Sequence, residues 1–520
     1  MPSSLTFLAL SVWQAVPLAQ TASPERTIRN TTLAGSALEA TAAFEAGMTY
    51  VAWRDTRNEG SSHGDIFAQK LGPDGETLWT VNGLAVCTAA DTQSLPAIVP
   101  DGAGGAVVSW MDERARPKAI FAQRITSAGE AHWAMNGVAV GPVYLESPYS
   151  FVHRSSDGGF LVTWWDSAPY VGAETYPVLA QKLDATGTKL WDPGEPDGRD
   201  LWGSGIEAIT GITRGRSVSD EAGGIIAIGK IRDNKGFRFQ RVRSDGSAAW
   251  PAAVDFNATL PETAPFHFAA DGAGGVIVAF LDNRDVRAFR VAGDGTLPWG
   301  QTGVTLVQAN ALLTEAPFVT PNGTGGAFVS WIASNPHDVR VQQIAADGSH
   351  LWAAGGTIVP DGSTSEREAA LIRDGTGGIY LSFTTATSLR GQQLDRNGGA
   401  QWKINGSNGV GLGSGELSVI GKGDTGPNVV YKRSTGLFAK SIQVASPLRV
   451  LKIVMGSDQI SVALDGGVPG RSYEVLRSAT SAEFRSDSWK VVGKVQAGQT
   501  WTDLSPLHPA GFYGAREASP

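Results

Sequence analysis

An all-β fold built from repeated four-stranded blades, a β-propeller, is what this sequence predicts, and three observations carry the prediction. A glycine-rich phrase recurs along most of the chain. Each occurrence opens a short apolar run ending in an aromatic residue, and a second run then leads to a tryptophan at a constant place. Among 520 residues, 65 glycines and 16 tryptophans suit many short strands joined by tight turns, with aromatic residues filling the core.

Aligned on the glycines, the phrase reads DGAGG at Asp101, SDGG at Ser156, DEAGG at Asp220, DGAGG at Asp271, NGTGG at Asn322 and DGTGG at Asp374. Degenerate copies, EAGMTYVAW from Glu45 and GDTGPNVVY from Gly423, stand at the two ends, as terminal members of a repeat array do. The spacing of about fifty to sixty residues is that of a propeller or solenoid unit. Glycine supplies the positive φ of a hairpin and aspartate caps its own turn, so the phrase joins the two inner strands of a blade.

The first run ends at Trp53, Trp110, Trp164, Phe280, Trp331 and Phe383. The second, after a polar turn, is IFAQKL from Ile66, IFAQRI from Ile120, VLAQKL from Val178 and their counterparts to LFAKSI from Leu437. Apolar and polar positions alternate with period two, the mark of strands with a covered face. A turn with Gly and the tryptophans Trp79, Trp133, Trp191, Trp250, Trp299, Trp352 and Trp402 follow, and these side chains are expected between blades. A fourth segment such as NGVAV from Asn136 completes each unit.

Eight such units predict an eight-bladed propeller over residues 27–446; the weakness of the terminal copies leaves a seven-bladed ring as the alternative. The eighth copy lacks its outer strand, while residues 27–36, TIRNTTLAGS, precede the first copy with nothing to pair with. This N-terminal strand is therefore expected to complete the last blade and close the ring.

Residues 447–520 break the pattern, and strands near Leu448, Gln459, Tyr473, Trp489, Thr500 and Phe512 predict a small β-sandwich. At the other end, the apolar segment Leu5 to Leu18 followed by Ala19 and Ala22 reads as a secretory signal over residues 1–22, although no Lys or Arg precedes it. Export to the cell surface or medium is the expectation.

The formal charge of −8 is dispersed, and without a Lys/Arg run a nucleic-acid partner has no electrostatic support. The single Cys87 cannot form an internal disulfide and reads as a small buried hydrophobe. HExxH, GxSxG and P-loop motifs are absent, and the seven histidines, His63, His132, His153 and His267 among them, show no metal-ligand pairing. No metal, catalytic residue or cofactor is implied, and no membrane span.

In its DGxGG, WxDxR, IxAQR and GxxxW series, from Trp53 to Trp402, the chain resembles the propeller repeats of largely uncharacterised secreted bacterial proteins. It is also similar to sialidase-type propellers in one respect. Their Asp-box interval, Asp five residues before an aromatic between third and fourth strands, stands at Asp74 to Trp79, Asp245 to Trp250, Asp294 to Trp299 and Asp347 to Trp352, with the glycine displaced by one. In the tail, SYEVLRS, WKVVG, TWTDLS and FYGARE resemble the fibronectin type III-like modules of exported bacterial proteins.

A polar motif recurs between second and third strands: Asp55-Thr-Arg57, Asp112-Glu-Arg114 and Asp282-Asn-Arg284. It reads first as a structural pair, since carboxylate and guanidinium pairing is ordinary, and second as a ring of ligand-binding charges. Departures from the repeat point to function more directly, because function on a symmetric scaffold sits in loop insertions. Copy three carries two of them, WDSAPYVGAETYP from Trp165 and DPGEPDGRDLWGSG from Asp192, emerging on one face. They bring Trp165, Tyr170, Glu174 and Tyr176 beside Arg199, Asp200 and Trp202.

Aromatics beside carboxylates and Arg suit a stacking platform with polar orienters. The expected function is thus an exported, non-catalytic binding or scaffold protein whose loop face recognises a carbohydrate or protein. The alternative is a glycoside hydrolase of sialidase-like architecture, for which Asp55, Arg57, Asp112, Arg114, Glu174 and Asp200 would have to converge at the ring centre.

Overall fold

The computed structural model describes residues 21–22, 25–58, 63–73, 75–144, 149–165, 178–191, 198–202, 212–231, 235–260, 264–308, 316–334, 337–359, 366–385, 389–401, 416–422, 427–433 and 436–443, followed by the strands of a second unit. Contacts divide the chain into a unit spanning Ala22–Ser441 and another that holds the residues from Ile442 onward. Among the described residues there is no helix, hence none long and apolar enough to cross a membrane.

The first unit is an eight-bladed propeller of antiparallel sheets. Blade 1 runs from the inner strand Ala37–Glu45 through Met48–Asp55 and Asp65–Leu71 to the outer Leu84–Cys87. Blade 2 repeats this with Gln93–Pro100, Ala106–Asp112, Lys118–Ile125 and Val138–Val143. In blade 3 the strands are Ser150–Arg154, Phe160–Trp165, Val178–Leu183 and Arg199–Asp200. The inner strands of blades 4 to 8 are Ile212–Ser219, Phe266–Ala270, Phe318–Pro321, Arg367–Arg373 and Glu416–Lys422. Blade 7 shows three strands among the described residues.

Ring closure follows the sequence-based expectation. Arg26–Arg29 pairs antiparallel with the third strand of blade 8, Gly436–Gln443, matching Arg26 to Ala439 and Thr27 to Phe438. The strand is shorter than the TIRNTTLAGS segment, because the chain turns from Asn30 toward blade 1. Ile28, fully buried, joins Val51, Trp53, Val430 and Leu437 in one cluster across the closing seam.

The core lies between blades. Tyr50, Ala52, Ile66 and Trp79 of blade 1 pack on Val108, Trp110 and Ile125 of blade 2, and equivalent clusters join the next blades in turn. Trp79, Trp133, Trp191, Trp250, Trp299 and Trp352 are each buried, as predicted, whereas Trp402 lies outside the described residues.

Hydrogen bonds explain the repeated letters. In the DGxGG turn, Asp101 Oδ1 accepts from the amides of Ala103 and Gly105 at 2.8 Å each, closing the hairpin between first and second strands. Its Oδ2 accepts from Arg124 Nε and Nη2 of the third strand at 3.0 and 2.9 Å. Arg124 then donates to the Ala185 carbonyl of the next blade. Asp220 with Arg241 and Asp271 with Arg290 repeat the pair, donating onward to Gly293 and Gly325. The preceding glutamine of the AQR phrase holds the tryptophan turn: Gln123 Oε1 accepts from the Trp133 amide and its Nε2 donates to the Ala134 carbonyl. Trp133 Nε1 in turn donates to Ala185 O, and Trp250 Nε1 to the Gly293 carbonyl that Arg241 also reaches, so in blades 2 and 4 one turn of the next blade is tied from two sides.

The second unit holds two three-stranded antiparallel sheets. One joins Ser446–Met455, Ile460–Gly467 and Thr500–Asp503, and the other Lys490–Gln496, Ser472–Ser478 and Phe512–Glu517.

Candidate ligand-binding face

In each blade the second-to-third and fourth-to-first connections emerge at one end of the ring, and the DGxGG and tryptophan turns at the other. The Asp-x-Arg motif stands at the first end, where its carboxylates are taken up by the protein's own donors. Asp55 is fully buried and accepts from Trp53 Nε1 at 2.8 Å, Arg57 Nη2 at 2.6 Å and Arg29 Nε at 2.9 Å. Burial alone would raise its pKa, but these donors outweigh it and hold the carboxyl below its ordinary value. Arg57 also donates to the Asn82 carbonyl and lies 4.0 Å over the Phe67 ring.

Blade 2 repeats the arrangement. Asp112 receives Trp110 Nε1 and a bidentate Arg114, which reaches the Asn136 carbonyl. Cys87 is buried here as expected, its thiol pushed up to about 11 by burial, while Arg114 donates to its Sγ at 3.2 Å. In blade 5 the partner of Asp282 is Arg287 rather than Arg284, which is exposed. Sequence spacing missed this because Arg287 comes from the facing strand, five residues on.

The motif is thus a clamp between the second strand and the outer strand's turn, with Asp55 and Asp112 consumed inside it. Its oxygens are turned to tryptophan and arginine donors rather than to a ring centre.

Blade 3 differs. Tyr149 precedes the Ser150–Trp164 pair and Trp165 follows it, so the two aromatics stand at adjoining ends of neighbouring strands. Trp165 pairs with Val178, and the Leu201 amide bonds the Val178 carbonyl, which extends the row to the outer strand. Tyr149 is 54% exposed and Tyr144, five residues earlier, 46%, while Trp165 is half-buried. Asp200, exposed at the same end, pairs with Leu179, which sets it on the opposite face of the sheet from Trp165 and Val178. Surrounding protein holds its carboxyl above the ordinary value, against the Trp202 amide bond at 2.9 Å that favours the anion.

The other predicted residues divide. Tyr170, Glu174 and Tyr176 lie outside the described residues. Arg199 and Asp200 form the outer strand instead of an inserted loop. Arg199 donates to the Gly246 carbonyl and stacks on Trp191, and Trp202 is buried with Leu161 and Ile225 between blades 3 and 4, so both serve the scaffold. Trp165 and Asp200 therefore share an end of blade 3 but not a face of its sheet, and neither is joined by Arg199 or Trp202. Tyr144 and Tyr149, which sequence reasoning passed over, join them. Their signal was position: they flank the connection that enters blade 3.

Two histidines occupy the inner seams. His153 Nε2 lies 2.7 Å from Ser217 Oγ of blade 4, and His267 Nδ1 accepts from the Val319 amide of blade 6 while stacking on Phe318. Burial lowers both to about 4. Among the described residues no group of three His, Cys, Asp or Glu side chains is placed to hold a metal ion.

Fold and face together define an eight-bladed propeller with an aromatic rim on its third blade. No family model matches the chain, and no curated protein matches it. Among solved structures, puromycin hydrolase aligns over 76% of this chain and 58% of its own, at 15% identity and a TM-score of 0.44, so the chain spans under two thirds of that enzyme. The polysaccharide lyase Uly1 aligns over 78% of this chain and 89% of its own, at 10% identity and 0.35. The SapL1 lectin, solved with α-methyl fucoside, aligns over 59% and 94%, at 14% identity and 0.31. These are likenesses of fold and carry nothing further.

Proposed function

We propose that the protein is an exported binding protein that recognises a carbohydrate at the rim of blade 3. The observation that carries this reading is the pair formed by exposed Tyr149 and half-buried Trp165 at adjoining strand ends of blade 3. Aromatic faces stack on the C–H face of a sugar ring, as they do in concave ligand sites. The apolar leader at the N-terminus supports export. The strand pairing of the second unit, second with first and fifth, third with fourth and sixth, supports a fibronectin type III-like spacer.

A glycan array probed with the mature protein and with its Tyr149→Ala, Trp165→Ala variant tests the reading. Loss of each stacked ring costs about 1 kcal/mol beyond its area, so the double variant is expected to lose more than about tenfold in affinity. Equal glycan binding by both proteins would place the site elsewhere, and binding to no glycan would remove the carbohydrate reading.

A further inference from the structure

We propose that the opposite end of the propeller carries a second site, at blades 6 and 7, for a carboxylate-bearing small molecule held by Arg373. The inference starts from two arginines in equivalent places. Arg154 ends the inner strand of blade 3 opposite Phe160, and Arg373 ends that of blade 7 opposite Ile379. Each guanidinium crosses the preceding blade's turn, Arg154 over Gly102 and Arg373 over Gly323, where a β-carbon would collide with it.

Their surroundings differ in charge. Arg154 Nη1 ends on Glu45 Oε1 of blade 1 at 2.6 Å. The aspartate of the corresponding turn in blade 5, Asp271, is consumed by its own amides and Arg290, so it cannot serve Arg373 in this way. Among the described residues Arg373 meets no carboxylate. It borders instead an open cavity of ≈ 430 Å³ whose other walls are Asn322, Gly323, Ile372, Gly375, Gly377 and Gly378.

The turn chemistry of this wall is altered to match. Blade 6 has Asn322 where blades 2, 4, 5 and 7 have aspartate, and Gln343 in the place of Arg124, so its turn carries neither charge of the usual pair. Asp374 of blade 7 is buried, with Oδ1 on the Thr376 and Gly378 amides and Oδ2 on Thr376 Oγ1 and Gln393. A ligand carboxylate at Arg373 would make the contact that Glu45 makes at Arg154, in a charge-assisted and bidentate geometry open to guanidinium. The lack of side chains on the glycine wall leaves space for the rest of the ligand.

Titration calorimetry with glucuronate, N-acetylalanine and glucose tests the site. Binding of glucuronate or N-acetylalanine, and of glucose not at all, is expected, and the tighter of the two tells a sugar acid from a peptide terminus. Arg373→Gln should weaken the bound acid about tenfold, as loss of one guanidinium–carboxylate contact does. Asn322→Asp, which restores a carboxylate to the wall, should weaken it while Arg154→Gln leaves it unchanged. Failure of both acids to bind, or binding that Arg373→Gln leaves intact, would overturn the assignment. Because Arg373 is exposed, an unchanged melting temperature of its variant confirms that any loss is local.

Discussion

Asp55 shows what a single residue does in this scaffold. Its carboxylate joins the closing strand, through Arg29, to the tryptophan core of blade 1, and both partners of that pair are wholly buried. Removing one partner strands the other, so Arg29→Ala should cost about 3 kcal/mol in a denaturant titration, while Arg57→Ala, at the exposed side, should cost less. The inner-seam histidines set the acid limit. His153 and His267 titrate near 4 in the fold against 6.5 when exposed, so the unfolded chain binds more protons between those values. Their contribution to stability is complete above pH 6.5 and is lost as pH falls toward 4. Thermal melts across that window should slope downward with acid, and His153→Gln with His267→Gln should flatten the slope. Asp55, whose pKa is lowered, loses its contribution at lower pH still, as protonation passes through its folded value. A slope unchanged in the double variant would show that other groups carry the acid sensitivity.

At the scale of the strand and turn, the repeated phrase is a set of hydrogen-bonding instructions. The aspartate closes its own turn and the arginine of the third strand ties that turn to the next blade, so Arg241→Ala should destabilise a seam as well as a hairpin. A loss of about 2 kcal/mol in a chemical denaturation curve is expected, with an increase in protease cutting near blades 4 and 5. Gly137 is required for a different reason. It has φ of +85°, and a β-carbon there would stand 2.5 Å from the Trp110 ring. Gly137→Ala should therefore cost more than the about 1 kcal/mol of the backbone conformation alone, measured the same way. The phrase was legible because the aspartate's closure of its own turn and the positive φ of its glycines act within a few residues of chain. The Arg287 partner of Asp282 was not, since strand pairing, and not sequence interval, brings it into reach. The same holds for the rim: Trp165 and Asp200 were found as unusual letters in an irregular copy, whereas Tyr149 is recognised only through its register with blade 3.

For the whole molecule, closure is the cooperative element. Arg26–Arg29 supplies an outer strand to blade 8, Ile28 fills the seam with blade 1, and Tyr431 donates to Glu25. A chain starting at residue 31 would leave blade 8 with an open edge and Asp55 without Arg29. Its melting temperature should fall by more than that of Arg29→Ala, and it should self-associate through the exposed edge, as size-exclusion chromatography would register. A monomer of unchanged stability would mean that the ring holds without its closing strand.

The sequence by itself determined the repeat, the four-stranded blade, the tryptophan seams and the segment that closes the ring. Each of these is written in local periodicity and turn chemistry, which act between near neighbours. Only the tertiary structure decided which polar residues face solvent. Asp55, Asp112, Arg199 and Trp202 look like ligand-binding letters in a row, yet the curvature of the ring turns them onto neighbouring strands and blades. Tyr149 and Arg373 are left outward by the same geometry, because a side chain's exposure depends on what the next blade brings against it.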